Sequence, residues 1–240
     1  MSLRFLPLAV AGASACAALL VAPAARAADD GDDPPRRVRD PMPAQRGLQL
    51  GARFGYSLPL GTVGGKASGL ASHVSDLETA SVPVGVDVGY RYERRVYFGG
   101  TLTFGDGVDP NGTSPCHSSG VSCSRQDWQL RAETRFYFAP DVRGGGWLAV
   151  GLGWEVATFS TSIGKSSVTS TLTGPILPDV ELGLDIRGGA VAVAPYFGLT
   201  FAEFMTHGVS PAAEPVSPWI DARSLHTWVT LGLRGSYGPW

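Results

Sequence analysis

The sequence predicts an all-β fold, an eight-stranded antiparallel up-and-down transmembrane β-barrel, and three observations predict it. The first is strict alternation. From Val82 to Glu93, Val82, Val84, Val86, Val88, Tyr90 and Tyr92 share one side of an extended chain, and Pro83, Gly85, Asp87, Gly89, Arg91 and Glu93 the other. A soluble sheet would turn the apolar row inward and set Lys, Glu and Thr toward water. Here the second row is glycine with isolated ions, and tyrosines close the apolar row at one end, which suits lipid outside and a crowded lumen inside. The second observation is the regular exchange of long and short connections. The third is that no segment after residue 27 holds the roughly 20 apolar residues of a membrane helix, so a chain that spans must close its strands into a ring.

The first 27 residues are a signal peptide by pattern: Arg4, an apolar run from Phe5 to Ala22, then Ala25-Arg26-Ala27 as a small-x-small cleavage site. Cys16 could suggest a lipoprotein, but apolar residues continue beyond it. Residues 28–46 combine Asp, Pro and Arg without an apolar period and are expected to form a flexible periplasmic tail, which leaves 47–240 for the barrel.

Strand one is expected from Leu48 to Leu58, with Arg53 inward, and strand two over the Ser81 to Arg94 stretch, with Asp87 and Arg91 inward. Residues 93–95 turn tightly into strand three, whose outward row is Val96, Phe98, Gly100, Leu102 and Phe104. Strand four, Asp127 to Phe138, sets Trp128, Leu130, Ala132, Thr134, Phe136 and Phe138 against Gln129, Arg131, Glu133, Arg135 and Tyr137. Strand five runs from Leu148 to Thr158 with Glu155 inward. The loop after it keeps a partial alternation over Ser166 to Thr173, which predicts a hairpin projecting above the membrane with Gly164-Lys165 at its tip.

Strand six is expected to face Ile176, Pro178, Val180, Leu182, Leu184 and Ile186 outward and Asp179, Glu181 and Asp185 inward. Strand seven, Val191 to Phe201, follows a Gly188-Gly189 turn. Strand eight, Leu225 to Tyr237, puts His226, Trp228 and Arg234 inward. Pro178 and Pro195 carry no ladder donor, so bulges or a shifted register are expected in this hairpin. None of the outward positions is charged in a chain with 17% charged residues. Aromatics gather at both ends of the outward rows, Tyr90, Tyr92, Phe98 and Phe136 near the short turns and Tyr56, Phe104, Trp128 and Trp154 near the long loops, as two interfaces select.

These features together resemble the small outer-membrane barrels of the OmpA/OmpX type over residues 47–237. The last strand, Thr230-Leu231-Gly232-Leu233-Arg234-Gly235-Ser236-Tyr237, is similar to the C-terminal signal of that family, departing from it at Gly235 and by the added Gly238-Pro239-Trp240. The resemblance implies location in the bacterial outer membrane, both termini in the periplasm, four loops outside, and as partners outer-membrane lipid and the barrel assembly machinery. It does not extend to a peptidoglycan-binding domain.

The candidate site is a lumen charge network: Arg53, Arg91, Arg131, Arg135 and Arg234 against Asp87, Glu133, Glu155, Asp179, Glu181 and Asp185. An eight-stranded lumen is about wide enough for side chains to fill, so near-balanced ions should pair and plug it. The formal net charge of −2 offers no basic field to nucleic acid. Cys116 and Cys123, close together in an exported chain, predict a local disulfide. A metal pair of these thiols with His117 is disfavoured by the oxidising compartment. No cofactor or metal is implied.

The lipid A deacylases of the same barrel class place a Ser two positions after a lipid-facing His. Here His226 is followed by Trp228, while His117 and His73 have Ser119 and Ser75 but lie in loops. No catalytic residue is assigned. Gly164-Lys165-Ser166 matches the end of a phosphate loop, but Phe159 stands where the upstream glycine is required. Asn111-Gly112-Thr113 matches a glycosylation acceptor in form alone. The expected role is a non-enzymatic structural or surface protein whose loops meet envelope components or host ligands. The alternatives are a narrow channel for small solutes and a lipid-modifying enzyme.

Overall fold

The computed structural model describes residues 46–238 apart from 64–72, 78, 109–119, 141–143, 211–218 and 221–222. The signal peptide, nearly all of the 28–46 tail, Cys116, His117 and the Asn111 to Thr113 motif therefore lie outside the described residues. The strands are β1 (Gly47–Gly61), β2 (Ala80–Tyr92), β3 (Val96–Val108), β4 (Val121–Tyr137), β5 (Gly144–Ile163), β6 (Ser166–Gly188), β7 (Val191–Glu203), β8 (Thr206–Ser210) and β9 (Leu225–Tyr237). A single helical turn, α1 (Val74–Leu77), lies between β1 and β2. The strands are hydrogen-bonded in the order β5-β4-β3-β2-β1-β9-β7-β6, and β5 pairs with β6, so eight strands close a ring. Every pairing is antiparallel.

The sidedness follows the alternation. Val82, Val84, Val86 and Val88 are exposed, while Asp87 and Arg91 on the facing row are buried. Leu130, Leu152 and Leu231 stand more than half exposed. This is a molecule turned inside out relative to a water-soluble β-protein, with its ions in the middle and its leucines outside.

Pro178 breaks the register. Between β6 and β7 the pairing shifts between Ile176 and Asp179, and between β5 and β6 it shifts across Gly151 and Gly153. One extra residue reverses the facing of everything beyond it. Ile176, expected outward, is therefore fully buried, and Leu177 is exposed in its place. At Pro195 the register does not shift: Pro195 pairs opposite Leu233 in an unbroken β7–β9 register from Val191 to Glu203, and the β6 ladder skips Leu184–Pro195 and Asp185–Ala194 and resumes in the same register at Ile186–Val193.

The third connection is not a loop. β5 and β6 run on as a regular ladder to Ile163 opposite Ser166, and Gly164, at φ 58°, makes the tip with Lys165. The fourth connection holds β8, which pairs with β6 from Thr173–Thr206 to Thr169–Ser210, continuing the line of β7 after an interruption at Phe204 and Met205. β4, β5, β6 and β8 thus form a sheet that rises beyond the rim of the ring.

Inward glycines make room for inward aromatics. A Cβ on Gly183 would lie 2.3 Å from the Trp147 ring, and one on Gly232 would lie 2.5 Å from the Tyr196 ring. Tyr97 presses in the same way on Gly89 and Gly99. Gly183→Val is therefore expected to displace Trp147 and cost about 1–3 kcal/mol, the range for overpacking. A red shift of Trp emission together with a lower unfolding midpoint checks it.

Candidate functional site: the charged lumen

The lumen is built from the odd-numbered positions of β1 to β5 and the even-numbered positions of β7 and β9, joined by Asp179, Glu181 and Asp185 below the β6 bulge. At mid-height four guanidinium groups meet four carboxylates. Arg53 is the hub: Nε lies 2.8 Å from Asp87 Oδ1, Nη1 2.6 Å from Glu181 Oε1, and Nη2 3.4 Å from Glu133 Oε2. Arg131 Nη1 donates to Asp179 Oδ2 at 2.6 Å and to Glu181 Oε1 at 3.0 Å. Arg234 Nε donates to Asp87 Oδ2 at 2.5 Å, and Arg135 pairs with Glu133. Thr101 and Thr200 hydroxyls donate to Asp87 and Asp179. All eight charged side chains are buried. Such groups tolerate burial only when paired and hydrogen-bonded together.

The other three predicted members lie at the two ends. Arg91, toward the short turns, donates from Nη2 to the Arg94 carbonyl at 2.7 Å and lies 4.0 Å over the Tyr137 ring. Asp185 there accepts from Trp147 Nε1 at 2.9 Å, with Arg187 Nη2 3.7 Å away. Glu155, toward the long loops, stands apart from the arginines. It accepts from Trp228 Nε1 at 2.9 Å and lies 3.0 Å from His226 Nε2.

The ends are closed differently. Tyr97, Tyr137, Trp147 and Tyr196 cluster toward the short turns, with Arg135 4.9 Å over Tyr97 and 4.6 Å over Trp147. At the other end Val63, Val74, Leu172, Phe204, Ile220 and Trp228 form an apolar cap, with Phe204 stacked 4.2 Å from His226. Between them a cavity of about 20 Å³ touches Arg53, Ser57, Thr103, Arg131, Glu181 and Tyr196. That space accommodates about one water.

Sequence reasoning placed His226 inward but missed Asp127, Trp147, Arg187 and Tyr196 as interior partners, and the signal for these was parity, within the strand or carried one or two residues further. Asp127 continues the Gln129 and Arg131 row, Arg187 continues Asp185, and Tyr196 faces the glycine of a neighbouring strand. Cys123 lies on β4 with its Sγ 3.7 Å from Thr161 Oγ1, and its expected partner Cys116 is outside the described residues.

One serine and histidine do meet outside the membrane-facing rows: Ser170 Oγ and His207 Nε2 are 2.7 Å apart, across β6 and β8. Partial burial pushes the His207 pKa down, which favours the neutral ring. Among the described residues no carboxylate bonds to this imidazole, so the orienting group of a nucleophile–base arrangement is absent there. The same residues contain no group of three or more His, Cys, Asp or Glu arranged to hold a metal.

No protein-family model matches the chain, and no curated protein matches it. Solved structures do. Neisserial surface protein A aligns over 80% of this chain and 98% of its own, at 13% identity and a TM-score of 0.49. Ail, the attachment invasion locus protein of Yersinia pestis, aligns over 79% and 98%, at 13% identity and a TM-score of 0.41. The outer membrane protein OprG from Pseudomonas aeruginosa aligns over 81% and 97%, at 13% identity and a TM-score of 0.43. Likeness at this level leaves the role of the chain to be argued from its own residues.

Proposed function

We propose that this chain is a bacterial outer-membrane barrel with a plugged interior, and that its role is structural or surface-directed, carried by what stands outside the membrane. The observation that carries this reading is the change along each outward row of the tall side. On β4 the row passes from Leu130 and Trp128 to Gln126, Ser124 and Ser122; on β5 from Trp154 and Val156 to Thr158, Ser160 and Ser162; on β6 from Pro175 to Thr173, Thr171 and Thr169. Aligned by the ladders, the changes on β4 and β5 fall at one level and that on β6 one residue pair lower, within the spread of a single upper edge of a hydrocarbon layer.

The plug is supported by the four-to-four ion pairing and by the mid-height cavity beside it, which leaves room for about one water. The interaction role is supported by the sheet of β4, β5, β6 and β8, which spends long strands outside the membrane where a bare anchor needs none. Its partners are outer-membrane lipid around the belt, the barrel assembly machinery during insertion, and envelope or host ligands at the loops. A Cys116–Cys123 disulfide pins the second loop. The chain acts without catalysis.

Planar-bilayer recording tests the plug. The full chain is expected to give no stable conductance, and Arg53→Ala with Arg131→Ala, which removes two side chains from the mid-height ionic layer, is expected to open one. A large, stable conductance from the unaltered chain replaces this reading with the narrow channel.

A further inference from the structure

The sheet that rises above the ring has two unlike faces. Its inner face mixes the apolar Phe159, Ile163, Val168, Leu172 and Val209 with Arg125, Thr161, Ser170 and His207. Its outer face, read across the four strands, consists of Ser122, Ser124 and Gln126; Thr158, Ser160 and Ser162; Ser167, Thr169, Thr171 and Thr173; and Thr206, Gly208 and Ser210. Eleven of these thirteen residues bear a hydroxyl, and none is charged or large and apolar. The charged residues of the same segments are Arg125, which points to the inner side, and Lys165 at the tip. Sheet faces and edges left to water ordinarily carry Lys and Glu, which keep them soluble and unpaired. This face carries neither.

We propose that this face packs against the neutral sugar chains of outer-leaflet glycolipid in the membrane's own surface, an inference that rests on the outer-membrane reading above. Two further features point to that occupant. The face continues the lipid-facing rows upward, starting directly above Trp128 and Val156, so whatever surrounds the barrel at that level must touch it. The reach also fits. At about 3.4 Å per residue and a tilt near 40°, Ser162 stands roughly 20 Å above Trp154, past a headgroup layer only about 5–7 Å deep. Phosphate at headgroup level would call for Arg or Lys, whereas sugar hydroxyls need groups that both donate and accept. The rows are ordered for it: Ser160 and Thr169 hydroxyls are 2.9 Å apart, Ser162 and Ser167 3.2 Å, and Thr173 and Thr206 2.6 Å.

The test uses the full chain folded in detergent and titrated with two probes of like acyl chains and phosphates: lipopolysaccharide with a complete core oligosaccharide, and lipid A alone. The core-bearing glycolipid is expected to bind about tenfold more tightly, the equivalent of one or two added hydrogen bonds. S160V/T169V/T171V, made of strand-forming residues of similar size, brings the ratio near one. T161V on the opposite face of β5 leaves it unchanged. Equal binding of both probes by the unaltered chain, or an unchanged ratio in the triple variant, overturns the proposal. Free core oligosaccharide competing as well as the intact glycolipid overturns its assignment to the membrane. A chain that does not insert into bilayers and shows no heat-modifiable migration overturns the barrel reading instead, so the two failures are distinguishable.

Discussion

Arg53→Met lowers the unfolding free energy of the barrel by about 3–5 kcal/mol, the cost of removing one partner from a buried ionic cluster. Arg53 touches carboxylates from three other strands, Asp87 on β2, Glu133 on β4 and Glu181 on β6, the last 128 residues away in sequence. Each of those carboxylates keeps one other arginine, Arg234, Arg135 and Arg131 respectively, so the ring still closes. What remains is an excess negative charge in a buried layer whose cavity holds little more than one water. Methionine restores much of the lost volume, so the measured cost is chiefly electrostatic. A second variant separates this account from simple packing loss. Adding Glu181→Gln to Arg53→Met leaves three one-to-one pairs, Arg131 with Asp179, Arg135 with Glu133 and Arg234 with Asp87. The double variant is therefore expected to be more stable than Arg53→Met alone, a sign that independent contacts would not give. Guanidinium unfolding in phospholipid vesicles checks both, and a double variant worse than the single one refutes the charge-balance account.

Leu130→Arg costs about 2–4 kcal/mol if the outward row lies in hydrocarbon. Leu130 is 61% exposed and flanked across the strands by Leu102 and Trp154, also outward. On a water-facing sheet the same change would fall within about 0.5 kcal/mol, because an exposed arginine loses no hydration. The two expectations differ severalfold at one site, and the lumen is untouched by the substitution. The same vesicle unfolding measurement reads it. A cost below about 0.5 kcal/mol in lipid would remove the barrel from the membrane.

Much of this architecture was legible because alternation is local. Whether Asp87 shares a face with Arg91 depends only on the two-residue repeat of an extended chain, and no knowledge of neighbours is needed. For that reason the eight-stranded barrel, the direction of each ion in the network and the projecting hairpin with its tip at Gly164 and Lys165 could all be read in advance. Parity failed where the repeat itself was interrupted. Pro178 marked the place, yet Pro195, with the same missing N–H, causes no shift, because tolerance for the lost donor depends on the partner strand and not on proline alone. Ile176 was therefore assigned to the wrong side.

Outside the β6 bulge, the amino-acid order by itself determined sidedness: which residues face outward, which face the axis, and that the axis is ionic. Only the tertiary structure decided who meets whom. Closing the ring brought Arg53 to Glu181, set Trp147 into the space over Gly183, gave Glu155 to His226 and Trp228 rather than to an arginine, and laid β8 beside β6 to complete a hydroxyl face from four separate segments. Facing is fixed within a few bonds along one strand, whereas partnership is fixed by strand register around the whole circumference, which no short stretch of sequence encodes.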